Sequence, residues 1–321
     1  MSIRESRTKE NQMFNRPRRA ATRSIVTVTV IAASLAIPAA AGDWANWRGP
    51  NHNGTTDESN LPSQWSGTEN IRWTTPLPGP SAATPVIFGD RVFIASNDTT
   101  LKRLMALCFD RETGEFLWGK QLAEADWLPV RNTMCASSPV TDGKLVYFFY
   151  GTSDLFALDF DGNVVWSKNL DREVGPTSSQ FAYGGSPLLY KGKLYFPILR
   201  GQWRSSIQFN SYSDKDSFLV CIDAATGDLL WKIHRPSDAK GESFDSYASA
   251  VPYEYGGAES VIVQGGDYLT GHGAETGEEL WRQFHSPKKG NTGRLIPTPV
   301  VAGELVIGVQ PRGCARKLCA R

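Results

Sequence analysis

After its N-terminal forty or so residues, the chain has no stretch of twelve or more with a 3.6-residue apolar period. Short apolar runs alternate with Gly- and Pro-containing turns, which predicts many short strands and an all-β fold. One skeleton recurs: "LCFDRETGEFLW" (107–118), "LDFDGNVVW" (158–166), "CIDAATGDLLW" (221–231) and "HGAETGEELW" (272–281). In each, a Gly stands four residues before a Trp: Gly114 and Trp118, Gly162 and Trp166, Gly227 and Trp231, Gly277 and Trp281. An Asp precedes the first three glycines by three or four residues, at Asp110, Asp159 and Asp223.

Upstream of each Trp element, Ser/Thr-Pro opens a strand pair, as in "TPVIFGDRVFIAS" (84–96), "SPVTDGKLVYFFYG" (138–151) and "SPLLYKGKLYFPI" (186–198). A further copy, "TPVVAGELVIGV" (298–309), follows the last Trp. Proline suits a strand start, where its missing N–H leaves no ladder bond unmade. The unit is therefore four short antiparallel strands, and Trp-to-Trp intervals of 48, 65 and 50 residues suit one propeller blade per repeat. In each turn Gly supplies a positive φ, the Asp bonds turn N–H groups, and the Trp spreads an apolar face toward a neighbouring blade.

This A-x-D-x-x-T-G-x-x-x-W pattern resembles the tryptophan-docking signature of quinoprotein propellers. The chain is similar to the PQQ-like β-propeller repeat superfamily, to exported bacterial PQQ-binding-like repeat proteins and, more distantly, to the barrel-assembly propeller lipoprotein. "WANWRGP" (44–50) fits the opening segment common in those exported proteins. The resemblance spans residues 44 to 311. It implies a propeller here of about four full blades plus part of another, with "IRWTTPL" (71–77) as an orphan Trp strand of a closing blade. The sequence "CARKLCAR" (314–321) departs from the strand due there, so an incomplete ring, through truncation or a frame change near Arg312, is expected.

Charge changes the picture at the N-terminus. A basic head, an apolar run at 25–37 and small residues at 38–42 predict a signal peptide over 1–42. A loop-like extension (43–70), a partial propeller (71–311) and an atypical tail (312–321) follow. Removing the leader's seven Lys/Arg and two Asp/Glu from totals of 34 and 33 leaves 27 against 31, a net charge of −4. With no basic stripe, nucleic acid is not expected as a partner. The location expected is periplasmic or secreted, with no membrane span after leader cleavage. Cys108 and Cys221 share one repeat position and are expected to be buried and unpaired.

No chemical motif accompanies the repeats. "DFDGN" (159–163) begins like a calcium loop but has Leu170 at the twelfth position, and His52, His234, His272 and His285 are scattered. The quinoprotein resemblance implies pyrroloquinoline quinone (PQQ) as a cofactor, yet the vicinal Cys-Cys pair of those dehydrogenases is absent from the sequence. The expected catalytic and metal sets are therefore empty. Arg200, Gln202, Trp203, Arg204 and Tyr212, in an insertion of the third unit, are a candidate binding loop. The reading is an exported, non-enzymatic propeller presenting loops to a protein or polysaccharide of the cell envelope. The alternative is a truncated PQQ-dependent oxidoreductase.

Overall fold

The computed structural model describes residues 42–126, 129, 131–175, 177, 181–199, 216–285 and 293–309. Residues 1–41 of the expected leader, the candidate loop residues Arg200, Gln202, Trp203, Arg204 and Tyr212, and the tail lie outside the described residues. Four antiparallel sheets of four strands follow in chain order. Blade 1 is β1 (Val86–Phe88), β2 (Arg91–Asp98), β3 (Arg103–Asp110) and β4 (Phe116–Glu124). Blade 2 is β5 (Val140–Thr141), β6 (Leu145–Phe149), β7 (Asp154–Asp159) and β8 (Val164–Asn169), followed by a one-turn helix, α1 (Leu170–Val174). Blade 3 is β9 (Leu188–Tyr190), β10 (Lys193–Ile198), β11 (Phe218–Asp223) and β12 (Leu229–His234). Blade 4 is β13 (Val251–Tyr255), β14 (Ala258–Gly265), β15 (Tyr268–Gly273) and β16 (Glu279–Phe284). A fifth sheet pairs β17 (Val300–Ala302) with β18 (Leu305–Ile307).

Every four-stranded blade carries a register shift at one repeat position, at 108/109, 157/158, 221/222 and 271/272. The extra residue bends the third and fourth strands where they enter the glycine turn. Asp110 Oδ1 accepts the N–H groups of Glu112 and Thr113 at 2.9 and 2.8 Å, and Asp223 Oδ1 those of Ala225 and Thr226 at 2.9 Å each. Asp159 does the same for Asp161 and Asn163 at 3.0 and 2.8 Å. Bonds from Thr113 hold the Asp110 carboxyl below its ordinary range, and the Asn163 side chain leads the same effect at Asp159.

The core is a series of layers between successive blades. Phe93 and Leu104 meet Val146 and Phe148 in the first layer, and Phe149 and Leu155 meet Phe196 and Val220 in the second. Tyr195 and Cys221 face Val261 and Val263 in the third. Each such fully buried aliphatic or aromatic side chain contributes roughly 1.5–3 kcal/mol. Cys108, Cys135 and Cys221 are buried free thiols in or beside these layers, and burial raises each thiol's pKa.

Each Trp closes a layer from the rim. Trp73 Nε1 donates to Arg111 O at 2.8 Å, Trp118 Nε1 to Phe160 O at 2.8 Å and Trp166 Nε1 to Ala224 O at 3.0 Å. In each case the acceptor follows the turn Asp of the next blade. The same Trp ring lies against that blade's turn glycine. A Cβ on Gly162 would stand 2.8 Å from Trp118, and one on Gly227 2.7 Å from Trp166. Trp73 meets Gly114 in this way, so the orphan Trp docks on blade 1 as a preceding blade's Trp would.

The fourth joint differs. Gly277 lies against Trp231, with a would-be Cβ 2.8 Å from the ring, but Trp231 Nε1 is buried with no acceptor among the described residues. The equivalent carbonyl, Ala274 O, instead accepts Tyr195 OH at 3.0 Å. Gly273 stands where the other turns have Asp, and the fully buried His272 supports this turn. Its Nδ1–H donates to Gly277 O at 3.0 Å, while Nε2 lies 3.0 Å from Thr270 Oγ1. Trp281 packs with Val301 and Val306 of the fifth sheet.

Candidate functional site

The Ser/Thr residues that open the inner strands form a directional chain from blade to blade. Thr84 N–H donates to Ser138 Oγ at 2.9 Å, and Ser138 N–H to Ser186 Oγ at 3.0 Å. Ser186 N–H donates to Ser249 Oγ at 2.7 Å, and Ser249 N–H to Thr298 Oγ1 at 2.9 Å. Blade 4 has Ser249-Ala250 in place of Ser/Thr-Pro, so the hydroxyl, not the proline, is the constant feature. Sequence reasoning read these positions for the proline alone; the recurring hydroxyl was the available signal.

The N-terminal segment crosses the inner ends of the blades. Trp44 forms a two-bond antiparallel bridge with Ile87 of blade 1, and Ala45 O accepts Thr141 N–H of blade 2 at 3.0 Å. Arg48 stacks on Trp47, 4.6 Å from the ring centroid, and donates to Pro299 O at 2.9 Å and Thr298 O at 3.3 Å. Partial burial lowers the Arg48 pKa. The "WANWRGP" segment thus ties blades 1 and 2 to the start of the two-stranded fifth sheet, blade 5.

Above this segment the loops entering blades 1 to 5 enclose a cavity of about 510 Å³. That volume suits a ligand of small-molecule size or an inserted side-chain cluster. Trp47 lines it from the N-terminal segment; Phe181, Tyr247 and Ile296 supply the apolar wall. Ser186 and Ser249 of the hydroxyl chain reach it as well. Bonds between successive entry loops hold the wall: Asn132 Nδ2 to Phe181 O at 2.7 Å, Ser137 Oγ to Gly185 O at 2.6 Å, and Tyr247 N to Leu295 O at 2.9 Å.

The charge of the lining is one-sided. Arg131 and Arg294 line the cavity, and no Asp or Glu does so among the described residues. Arg294 lies over the Phe181 ring, 4.4 Å from its centroid, and donates to Glu242 Oε2 at 3.1 Å. Arg131 has no ion pair among the described residues and adopts a left-handed backbone, φ 77°. Left-handed geometry is uncommon for a side chain of this size and concentrates at functional sites. Two guanidinium groups beside aromatic faces can hold an anionic group and stack flat surfaces.

The docking residues Asp110, Gly114, Trp118, Asp159, Gly162, Trp166, Asp223, Gly227, Trp231, Gly277 and Trp281 are at the blade rims and turns, and none lines this cavity. Arg131, Arg294, Trp47 and Tyr247 carried no repeat signal because they lie in loops or beside the axis. The donor set also tests the implied PQQ. The arginines and aromatic walls suit a flat polycarboxylate, but among the described residues the lining has no carboxylate to hold a calcium ion. Among the described residues no three His, Cys, Asp or Glu side chains are grouped to bind a metal. The described residues do not fit a calcium-held quinone.

Comparison with known proteins places the chain among PQQ-type propellers. A family model described as outer membrane protein assembly factor BamB matches residues 56–197 and 210–320. A polyvinylalcohol dehydrogenase of Pseudomonas sp is 27% identical over 168 residues, covering 51% of this chain and 24% of that protein. A quinohemoprotein alcohol dehydrogenase of Pseudomonas putida is 29% identical over 161 residues, covering 47% and 20%. The chain thus spans about a quarter of the length of these curated relatives. A europium-containing methanol dehydrogenase structure superposes with a TM-score of 0.48 at 12% identity, over 76% of this chain and 49% of that one. The repeated blades and the match over most of the chain make it a member of the PQQ-type β-propeller family of the outer membrane protein assembly factor BamB.

Proposed function

We propose that the chain is the binding part of an exported β-propeller. Its central cavity receives an anionic group of a protein partner at the cell envelope. One observation carries this reading: Arg131 and Arg294 face a cavity of about 510 Å³ that has no carboxylate among its described lining residues. An Asp/Glu-bearing loop brings the complementary charge, and Trp47, Phe181 and Tyr247 offer flat faces to the rest of it. Export rests on the leader at 1–42, and the family's outer-membrane description is in keeping with it. The rim tryptophans act as framework in this reading. The third-unit insertion, with Arg200, Gln202, Trp203, Arg204 and Tyr212, supplies a further binding loop.

A second reading, a PQQ-dependent oxidoreductase, draws on the dehydrogenase relatives and on the same arginine pair. Among the described residues the cavity lining offers no carboxylate ligand for calcium, which weighs against it. Titration monitored by tryptophan fluorescence separates the two. An acidic peptide should quench or shift the signal of Trp47 saturably, whereas a peptide of the same length with Asn and Gln for Asp and Glu should not. Tight PQQ binding that requires calcium, with no response to the acidic peptide, would overturn the proposal in favour of the second reading. A response to an anionic polysaccharide alone would move the partner from protein to glycan.

A further inference from the structure

A second void, of about 20 Å³, adjoins the cavity and shares Trp47, Ser186 and Ser249 with it. Asn46, Arg48 and His52 line its other side, so it lies between the N-terminal segment and blades 3 and 4. A void of roughly 10–15 Å³ or more admits one water molecule, and a molecule held there needs two to four polar partners. This void is too small for an organic ligand.

The surrounding atoms have complementary needs. Asn46 Oδ1 is buried and has no donor among the described residues. Ser186 Oγ accepts Ser138 N–H at 3.0 Å, and Ser249 Oγ accepts Ser186 N–H at 2.7 Å. Each hydroxyl therefore keeps its own proton to donate. Neither has a protein acceptor among the described residues. An acceptor without a donor thus faces two donors without acceptors across a water-sized gap.

We propose that this gap is a binding site for one ordered water molecule, which accepts from the Ser186 and Ser249 hydroxyls and donates to Asn46 Oδ1. Chloride would accept from the hydroxyls but has no proton to give the Asn46 carbonyl oxygen, whose partial negative charge it would face. A metal cation would meet the Arg48 guanidinium. Water satisfies both kinds of partner.

The site completes the attachment of the segment. Direct hydrogen bonds tie it to blades 1, 2 and 5, through Trp44, Ala45 and Arg48. The water is the corresponding joint to blades 3 and 4. It holds Asn46 in place and, through it, the neighbouring Trp47 as a wall of the cavity. A water-bridged contact is nearly as favourable as a direct hydrogen bond.

Crystals of the whole chain, grown in parallel with chloride and with bromide, test the site. The expected result is a density peak about 2.7–3.2 Å from Asn46 Oδ1 and from a serine hydroxyl, with no anomalous signal in bromide. An anomalous peak there, or Asn46 bonded directly to a serine across a dry gap, overturns the proposal. In solution, hydrogen exchange of amides 44–52 should be faster in Asn46→Leu by a factor on the order of ten. Asn46→Asp, which keeps the acceptor, should remain close to the wild type. Equal protection in Asn46→Leu and the wild type also overturns it.

Discussion

Replacing Gly162 by Ala perturbs one inter-blade joint at a single atom. Gly162 has φ 82°, and the added Cβ would lie 2.8 Å from Trp118 Cδ2 of the preceding blade. Gly192, in the hairpin between β9 and β10, has φ 74° with nothing within 4 Å of a would-be Cβ. Both substitutions impose the left-handed penalty of about 1–2 kcal/mol. Only Gly162→Ala also forces a docked ring aside, which adds about 1–3 kcal/mol as for an overpacked core. Urea unfolding, followed by circular dichroism, should therefore show Gly192→Ala losing about 1–2 kcal/mol and Gly162→Ala about 2–5. The denaturant slope should be unchanged, so that the shift in midpoint reports stability. Equal losses in the two variants would refute the argument that the turn glycine is there to seat the Trp.

Three further outcomes follow from other joints. Burial pushes the His272 and His285 pKa values down to about 4 from 6.5, so the folded state resists protons that the unfolded chain accepts. Stability should be full above pH 6.5 and fall as pH drops toward 4, by about 3 kcal/mol for one such histidine. The Asp110 and Asp159 carboxylates, with lowered pKa values, lose their contribution only at lower pH, so urea midpoints at pH 7, 5.5 and 4.5 isolate the histidines. Ser138→Ala leaves the Thr84 N–H without its acceptor and should cost about 1–3 kcal/mol in the same assay. Tyr195→Phe frees Ala274 O for Trp231 Nε1, so its loss should stay below about 1 kcal/mol, with a shift in the Trp231 fluorescence or indole NMR signal.

The blade skeleton was legible because its determinants are local. A glycine at positive φ, an Asp three or four residues before it and a Trp four after it mark one turn and one strand, wherever the blade lies in the ring. The turn at Gly273 was harder to read, because His272 braces it from the preceding position by donating to the Gly277 carbonyl, where Asp elsewhere accepts turn N–H groups. The joints along the axis were only half visible. Ser/Thr-Pro announced a strand start, but the role of the hydroxyl depends on the next blade, 48 to 63 residues away. Ser249, followed by Ala, offered no proline to draw attention. The cavity was not legible at all. Arg131 and Arg294 come from loops separated by three blades, and only the curvature of the stacked sheets brings them to one space. The segment at 44–52 has no strand-like apolar alternation and looks like a loop, while its bonds to blades 1, 2 and 5 are set by partners distant in sequence.

If Arg131 and Arg294 make this propeller a receptor for an anionic partner group, an acidic peptide should bind through them. The most direct measurement is calorimetric binding of a poly-glutamate peptide to the wild type, to Arg131→Ala/Arg294→Ala and to Arg172→Ala, a control on α1. Melting temperature and circular dichroism of each variant establish that the fold is retained. Binding should be salt-sensitive, kept by the control and weakened at least tenfold in the double variant, the scale of two charge-assisted hydrogen bonds. Undiminished binding in the folded double variant would contradict the receptor reading.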